Sequence, residues 1–243
     1  DVTGTNTDDD TAGITVTPTS GLTTTEAGGT DTFTVVLDSE PTANVVIGVS
    51  SNDTSEGTVS PSTLTFTSGN WDSTQTVTLT GVDDALVDGN VAYTIVTAAA
   101  TSGDGNYNGT NADDVTATNN DNDVAGVTVN QTSGLITTEA GGTATFTVVL
   151  NTQPTADVTI ALSSNITSEA TVSPSGLTFT NGNWDSAQTV TVTGVNDDVD
   201  DGDIAYTIVT GDTVSTDGNY SGLTVSDVTG TNTDDDTAGI TVT

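Results

Sequence analysis

The chain has 243 residues, of which 32% are hydrophobic, against ~45–50% in an ordinary globular chain. Lys and Arg total 0, His 0 and Cys 0, whereas Asp and Glu total 34, so the formal net charge is −34. These blanks exclude a histidine or thiolate metal site, a Ser-His triad, a lysine Schiff base and any basic footprint for nucleic acid or an anionic membrane.

Low hydrophobicity does not here mean disorder. Asp outnumbers Glu 29 to 5, and Thr occurs 57 times. Thr, Val and Ile favour a pleated strand, while Asp and Gly favour turns and cation loops. In chain order, the first predicted strand is Ile14–Thr17. Residues 32–37 follow, with Phe33, Val35 and Leu37 on one face and Thr32 and Thr34 on the other. Val45, Ile47 and Val49 alternate next, then Leu64 and Phe66, Val77 and Leu79, Val91, Tyr93 and Ile95, and finally Val115. Period 2 holds throughout, and Gly, Pro and Asn clusters separate the runs. Seven short strands in about 110 residues predict an antiparallel two-sheet sandwich. Trp71 and Trp184 read as plugs over one end of the core, and Tyr93 and Tyr206 as core.

Self-comparison divides the chain. Thr25–Thr30 (TEAGGT) recurs at Thr138–Thr143, Gly69–Ser73 (GNWDS) at Gly182–Ser186, and Ala92–Thr97 (AYTIVT) at Ala205–Thr210, each at an offset of 113. Residues 1–17 are identical to residues 227–243, at twice that offset. The predicted organisation is residues 1–13 as the tail of a preceding repeat, 14–126 and 127–239 as two sandwich repeats, and 240–243 as the start of another. The absence of Met predicts a mature segment cut from a longer product. No signal peptide is visible, and no apolar run approaches the ~18 residues of a membrane span.

The acids cluster. One position is Glu26, with Glu139 in the second repeat, and another is Glu56, with Glu169. A third is the run Asp83, Asp84 and Asp88, matched by Asp197, Asp198 and Asp201. A fourth is Asp8, Asp9 and Asp10, matched by Asp121 and Asp123 and by Asp234, Asp235 and Asp236. Two carboxylates ~4 Å apart repel by about 4 kcal/mol at an effective dielectric of ~20. With no cation in the chain, an external one is expected, and Ca²⁺, which takes 6–8 hard oxygen ligands in flexible geometry, suits best. Isolated acids such as Asp31, Asp38, Asp72 and Asp157 read as solvated charges.

At these residues the chain resembles the Calx-β domain and the similar tandem repeats of large bacterial surface adhesins. Thr24-Thr25-Glu26-Ala27-Gly28 resembles the family's early Thr-Val-x-Glu and glycine. Asp83-Asp84 through Asp88 to Tyr93 resembles its acidic run before an aromatic strand. Asp8-Asp9-Asp10-Thr11-Ala12-Gly13 resembles its closing triple Asp. The family's Gly-Ser-Asp-Tyr segment is missing, and Glu56 and Glu169 are placed there. The resemblance implies tandem seven-stranded Ig-like sandwiches arranged end to end, with Ca²⁺ held at one end of each beside the hinge to the next.

The leading expectation is a calcium-stabilised structural array in an extracellular stalk, adhesin shaft or filament, at the cell surface or secreted. Its partners would be neighbouring repeats of the same chain or identical subunits, with any surface or glycan ligand bound outside this segment. A Thr-rich glycan- or surface-binding module is the alternative. An enzyme is not expected: a carboxylate pair for glycoside hydrolysis needs a partly apolar cleft, and these acids sit in polar loops.

Overall fold

The computed structural model describes residues 1–7 and 9–241. The described residues are all β, and they contain no helix that is long and apolar enough to cross a membrane. The chain divides into two compact units, residues 1–84 with 88–122 and residues 123–243 with 85–87.

In the first unit β1 (Ile14–Thr17), β3 (Thr30–Leu37), β7 (Gln75–Gly81) and β5 (Gly57–Ser60) form one sheet, in the order β1-β3-β7-β5. The other sheet runs β2 (Leu22–Thr25), β10 (Val115–Asn120), β8 (Val91–Thr97), β4 (Val45–Ser51) and β6 (Thr63–Phe66), with the two-residue β9 (Thr101–Ser102) pairing β4. The second unit repeats this. β11 (Val127–Val129), β13 (Thr143–Leu150), β17 (Gln188–Gly194) and β15 (Ala170–Ser173) form one sheet. β12 (Leu135–Thr138), β19 (Val228–Thr233), β18 (Ile204–Thr210), β14 (Val158–Ser164) and β16 (Gly176–Phe179) form the other.

Alternation along each strand builds the two cores. Phe33, Val35 and Leu37 of β3 are buried, as are Val77 and Leu79 of β7 and Val45, Ile47 and Val49 of β4. Each such aliphatic or Phe side chain contributes roughly 1.5–3 kcal/mol on burial. Trp71 and Trp184 are half-buried against their cores, and their carbonyls accept hydrogen bonds from Leu37 N and Leu150 N. The outward positions carry hydroxyls in register. Thr30, Thr80 and Thr58 form one cross-strand row, and Thr32, Thr78 and Ser60 the next. Thr143, Thr193 and Thr171 repeat the first row, and Thr145, Thr191 and Ser173 the second.

The seven expected strands are all present, and β2, β5 and β9 join them. Period 2 hides β2 and β5 because each four-residue strand offers a single apolar inward residue, Leu22 or Val59, and no second one to alternate with it. In β2 the inward Thr24 is fully buried and hydrogen-bonds Asn119 Oδ1 (3.0 Å) and Tyr93 Oη (3.1 Å). In β5 the inward Gly57 lies where a Cβ would strike the Tyr93 ring. The sandwich is also not wholly antiparallel, since β2 pairs β10 in parallel and β12 pairs β19 likewise. The chain leaves the first sheet after β1 and enters the second as β2. The crossing is held by Thr116 N, which donates to the Thr19 carbonyl, as Thr229 N does to that of Thr132.

The pole at the C-terminal end of β3 is closed without external help. Tyr107 Oη donates to the Ser39 carbonyl (2.6 Å) and accepts from Ser39 N (3.1 Å). The buried Asp104 carboxylate accepts from Thr42 N (2.8 Å) and Asn106 N (2.9 Å), bonds that hold it below the usual carboxylate range. In the second unit Tyr220 Oη donates to the Thr152 carbonyl (2.7 Å) and accepts from Thr152 N (3.0 Å), all buried. Replacing Tyr220 by Phe strands both backbone groups and should destabilise the second unit by about 1–3 kcal/mol. Urea unfolding at equilibrium measures it, and an unchanged midpoint would show that the hydroxyl does not close this pole.

Candidate metal centre

The opposite pole collects the acids, and strand direction is the reason. β2 and β10 are parallel, so both deliver their C-terminal ends, Glu26 and Asp121, to the same place. β8 runs antiparallel to β10, so the loop before it, carrying Asp84 and Asp88, starts at that pole. β5 opens at Gly57, opposite Gly81 at the end of β7, which brings Glu56 beside the same loop. The second unit repeats this through β12, β19, β18, β15 and β17.

Four groups of acids result: Glu26, Asp121 and Asp123; Glu56, Asp84 and Asp88; Glu139, Asp234 and Asp236; and Glu169, Asp197 and Asp201. In each, one carboxylate oxygen per residue lies within 4.8 Å of the others, and each group could hold a metal ion. The glutamates are the buried members, Glu26 and Glu139 at 3% exposure, Glu56 at 6% and Glu169 at 5%.

The surrounding bonds orient these oxygens. Asn122 N donates to Glu26 Oε2 (2.9 Å), and Asp235 N to Glu139 Oε2 (3.4 Å). Gly89, at φ 78°, turns its N–H onto Asp121 Oδ2 (2.7 Å), and Gly202, at φ 77°, does so to Asp234 Oδ2 (2.7 Å). A side chain at that positive φ would be strained, so glycine is what this turn requires. Asp236 N donates to Asp234 Oδ1 (2.7 Å), while Asp236 Oδ2 is buried and accepts no hydrogen bond among the described residues.

Burial pushes the Glu139 carboxyl above its usual range, and Asp234, Asp197 and Asp236 push the same way against the bond from Asp235. Burial also raises Asp236, with Asp234, Asp198, Asp235 and Asp197 adding to it. Glu56 rises for the same first reason, against the bond from Asn119, with Asp88, Asp53 and Asp84 raising it further. An oxygen-only donor set with a buried, unbonded carboxylate oxygen and no Lys, Arg or His in the chain fits a hard cation.

Not every predicted ligand joins a group. Asp83 accepts from Asn122 Nδ2 (3.4 Å), and Asp198 and Asp235 are exposed. Asp9 and Asp10 are exposed ahead of β1, and Asp10 lines a cleft with Ser39, Glu40, Thr42 and Tyr107, at the pole closed by Tyr107. Asp8 lies outside the described residues. Two acids read as solvated charges also accept hydrogen bonds, Asp31 being half-buried and Asp38 exposed as expected. Asp31 accepts from Thr23 N (2.9 Å) and Thr32 N (2.8 Å), and Asp38 accepts from Thr15 Oγ1 (2.7 Å). The sequence reading missed Asn119 and Asn232, each at 1% exposure beneath the acidic pole. Their recurrence at the repeat offset was the available signal.

No protein-family model and no curated protein matches the chain. Among solved structures, CBD12 from CALX1.2 is 13% identical over 82% of this chain and 80% of that chain, with a TM-score of 0.37. The calcium binding domain CBD12 of CALX1.1 is 15% identical over 82% and 80%, with a TM-score of 0.38. Domains 4 and 5 of the S-layer protein SbsC are 20% identical over 77% of each chain, with a TM-score of 0.34.

The raised carboxyls set a sign for pH dependence. A carboxyl whose folded pKa lies above its unfolded value opposes folding when ionised, and the opposition fades as pH falls through the folded value. Acids held low, such as Asp53 and Asp104, act in reverse: they stabilise above the unfolded range, and this is lost as pH falls below it. In metal-free buffer the melting midpoint should therefore rise from pH 7 towards the unfolded carboxylate range, about 4, and fall below it. A midpoint that falls steadily from pH 7 would show that the acidic poles carry no such cost.

Proposed function

We propose that the chain is part of a calcium-stabilised structural repeat array, of the kind that forms an extracellular stalk, adhesin shaft or filament. The observation that carries this reading is the convergence of four oxygen-only acid groups in a chain without a Lys, Arg or His. Each repeat gathers six acids at one pole, on loops that join its strands, and this supports a role in stiffening rather than in a reaction. Ca²⁺ takes 6–8 oxygen ligands in flexible geometry, whereas Mg²⁺ demands near-ideal octahedral geometry, so carboxylates brought together on loops suit the larger ion.

In this reading Glu139, Asp234 and Asp236 hold one ion, and Glu169, Asp197 and Asp201 another. The bound cation supplies the positive charge that the chain lacks. It joins the ends of β12 and β19 and fixes the loop between β17 and β18. The first repeat works alike through Glu26, Asp121 and Asp123 and through Glu56, Asp84 and Asp88. Extracellular calcium modules bind with Kd of ~10⁻⁴–10⁻³ M, and ~100-fold excess over Kd adds about 2.7 kcal/mol per site. Millimolar calcium outside the cell is the setting in which such sites fill.

Thermal melting with chelator and with a few millimolar Ca²⁺ tests this. The midpoint should rise by several degrees with Ca²⁺, and the gain should shrink towards pH 4 as protons compete for the ligands. Joint replacement of Asp234 and Asp236 by Asn should abolish one calorimetric site, whereas Asp72→Asn and Asp157→Asn, at exposed positions, should cost none. Equal losses from both sets would mean diffuse counterion attraction. Scattering from longer arrays should show straight particles only with Ca²⁺.

A second reading, a face that binds a neutral hydroxylated surface, is favoured by the in-register threonine rows, which contain no acid. Retention on an insoluble neutral polysaccharide, lost on joint replacement of Thr145 and Thr191 by Glu, would establish it. No retention by the unmutated chain would remove it.

A further inference from the structure

We infer that Asn232, and Asn119 one repeat earlier, is the positioning residue of its acidic pole, a single buried amide that sets the geometry of both carboxylate groups. The inference rests on the cation reading above. Asn232 lies on β19, two residues before Asp234. Its Oδ1 accepts from Thr137 Oγ1 (2.9 Å), on β12, two residues before Glu139. A hydroxyl could donate or accept there, so it is the acceptor-only Val195 carbonyl and Glu169 carboxylate across the amide that fix Nδ2 as the end facing them. Nδ2 donates to the Val195 carbonyl (3.0 Å), at the start of the loop that carries Asp197 and Asp201. It also donates to Glu169 Oε2 (3.4 Å). One side chain thus touches, or sits on, every element that supplies the six acids of the second unit.

The first unit repeats the arrangement. Thr24 Oγ1 donates to Asn119 Oδ1 (3.0 Å), and Asn119 Nδ2 donates to the Val82 carbonyl (3.0 Å) and to Glu56 Oε2 (3.3 Å). Thr24 and Thr137 are at 0% exposure. Packing locks the amide as well, since a Cβ on Gly194 would strike the Asn232 amide oxygen and the Thr138 carbonyl, and one on Gly81 would strike Asn119 and Thr25 alike. An amide suits this position because it offers an acceptor to the hydroxyl and two donors to two oxygens, all at once. Aspartate has the same shape but no donor, and would set an anion against Glu169. Leucine has neither donor nor acceptor. Groups that orient metal ligands from behind typically affect affinity 10–100-fold.

The experiment is calorimetric Ca²⁺ titration of the full chain, unmutated and as Asn232→Leu, Asn232→Asp, Asn119→Leu and Thr137→Val, with melting in metal-free buffer beside each. Asn232→Leu and Asn232→Asp should weaken the second unit's sites 10–100-fold and leave the first unit's unchanged. Asn119→Leu should do the converse. Thr137→Val keeps the amide but removes the hydrogen bond that holds its oxygen, so a smaller loss in the same direction is expected, and it serves if the Asn232 variants do not fold. A lower metal-free melting midpoint with unchanged affinity would make the amide an ordinary core contact and overturn the inference alone. Absence of Ca²⁺ binding by the unmutated chain would overturn the cation reading and this inference together.

Discussion

The arrangement of each unit depends on one constraint, the burial of carboxylates in a chain that has no Lys, Arg or His to pair them. Glu26, Glu56, Glu139 and Glu169 all lie under 7% exposed. A buried anion is tolerated only when hydrogen bonds or an opposite charge replace its water. Hydrogen bonds serve at one pole of each sandwich, and at the other they leave a charge that an opposite one would offset.

At one pole hydrogen bonds suffice. Asp104 and Asp217 are buried, and backbone N–H groups of the loops around them, Thr42 and Asn106 or Thr155 and Asn219, satisfy their oxygens. A tyrosine hydroxyl closes the loop beside each of these acids. At the other pole three acids meet at each group, and backbone donors reach only some of their oxygens. Mutual repulsion and burial then act in the same direction, and the pole carries an electrostatic cost that a divalent ion would relieve. The difference lies in how many acids converge, which strand direction sets. The parallel pairing of β2 with β10 is what brings Glu26 to Asp121, and an all-antiparallel sandwich would not place those two ends together.

The two repeats solve the pole with slightly different charges. Asn122 of the first stands where the second has Asp235, and Asn122 Nδ2 bonds Asp83. Asn90 of the first, whose Oδ1 accepts from Asp121 N, stands where the second has Asp203, which accepts from Asp234 N. The hydrogen-bond frame is thus kept while the number of acids around it changes. Asn119 and Asn232 belong to the part that does not change.

The sequence by itself determined the repeat, seven strands of the first repeat and the face each of these buries, because tandem identity and period 2 are properties of the chain alone. Phe33, Val35 and Leu37 could be assigned to a core without any knowledge of what they meet. It also determined which loops gather acids. Only the tertiary structure decided how those acids are shared, giving Asp84 and Asp88 to Glu56 but Asp121 and Asp123 to Glu26. Asp234 and Asp236 enter one group while Asp235 between them faces solvent, a choice made by the exit of β19 rather than by composition. β2 and β5, and the amides of Asn119 and Asn232, stayed illegible for one physical reason. Thr24, Gly57, Asn119 and Asn232 are polar or glycine at inward positions, made compatible with burial by partners 36 to 95 residues away, and no local pattern records a partner that distant.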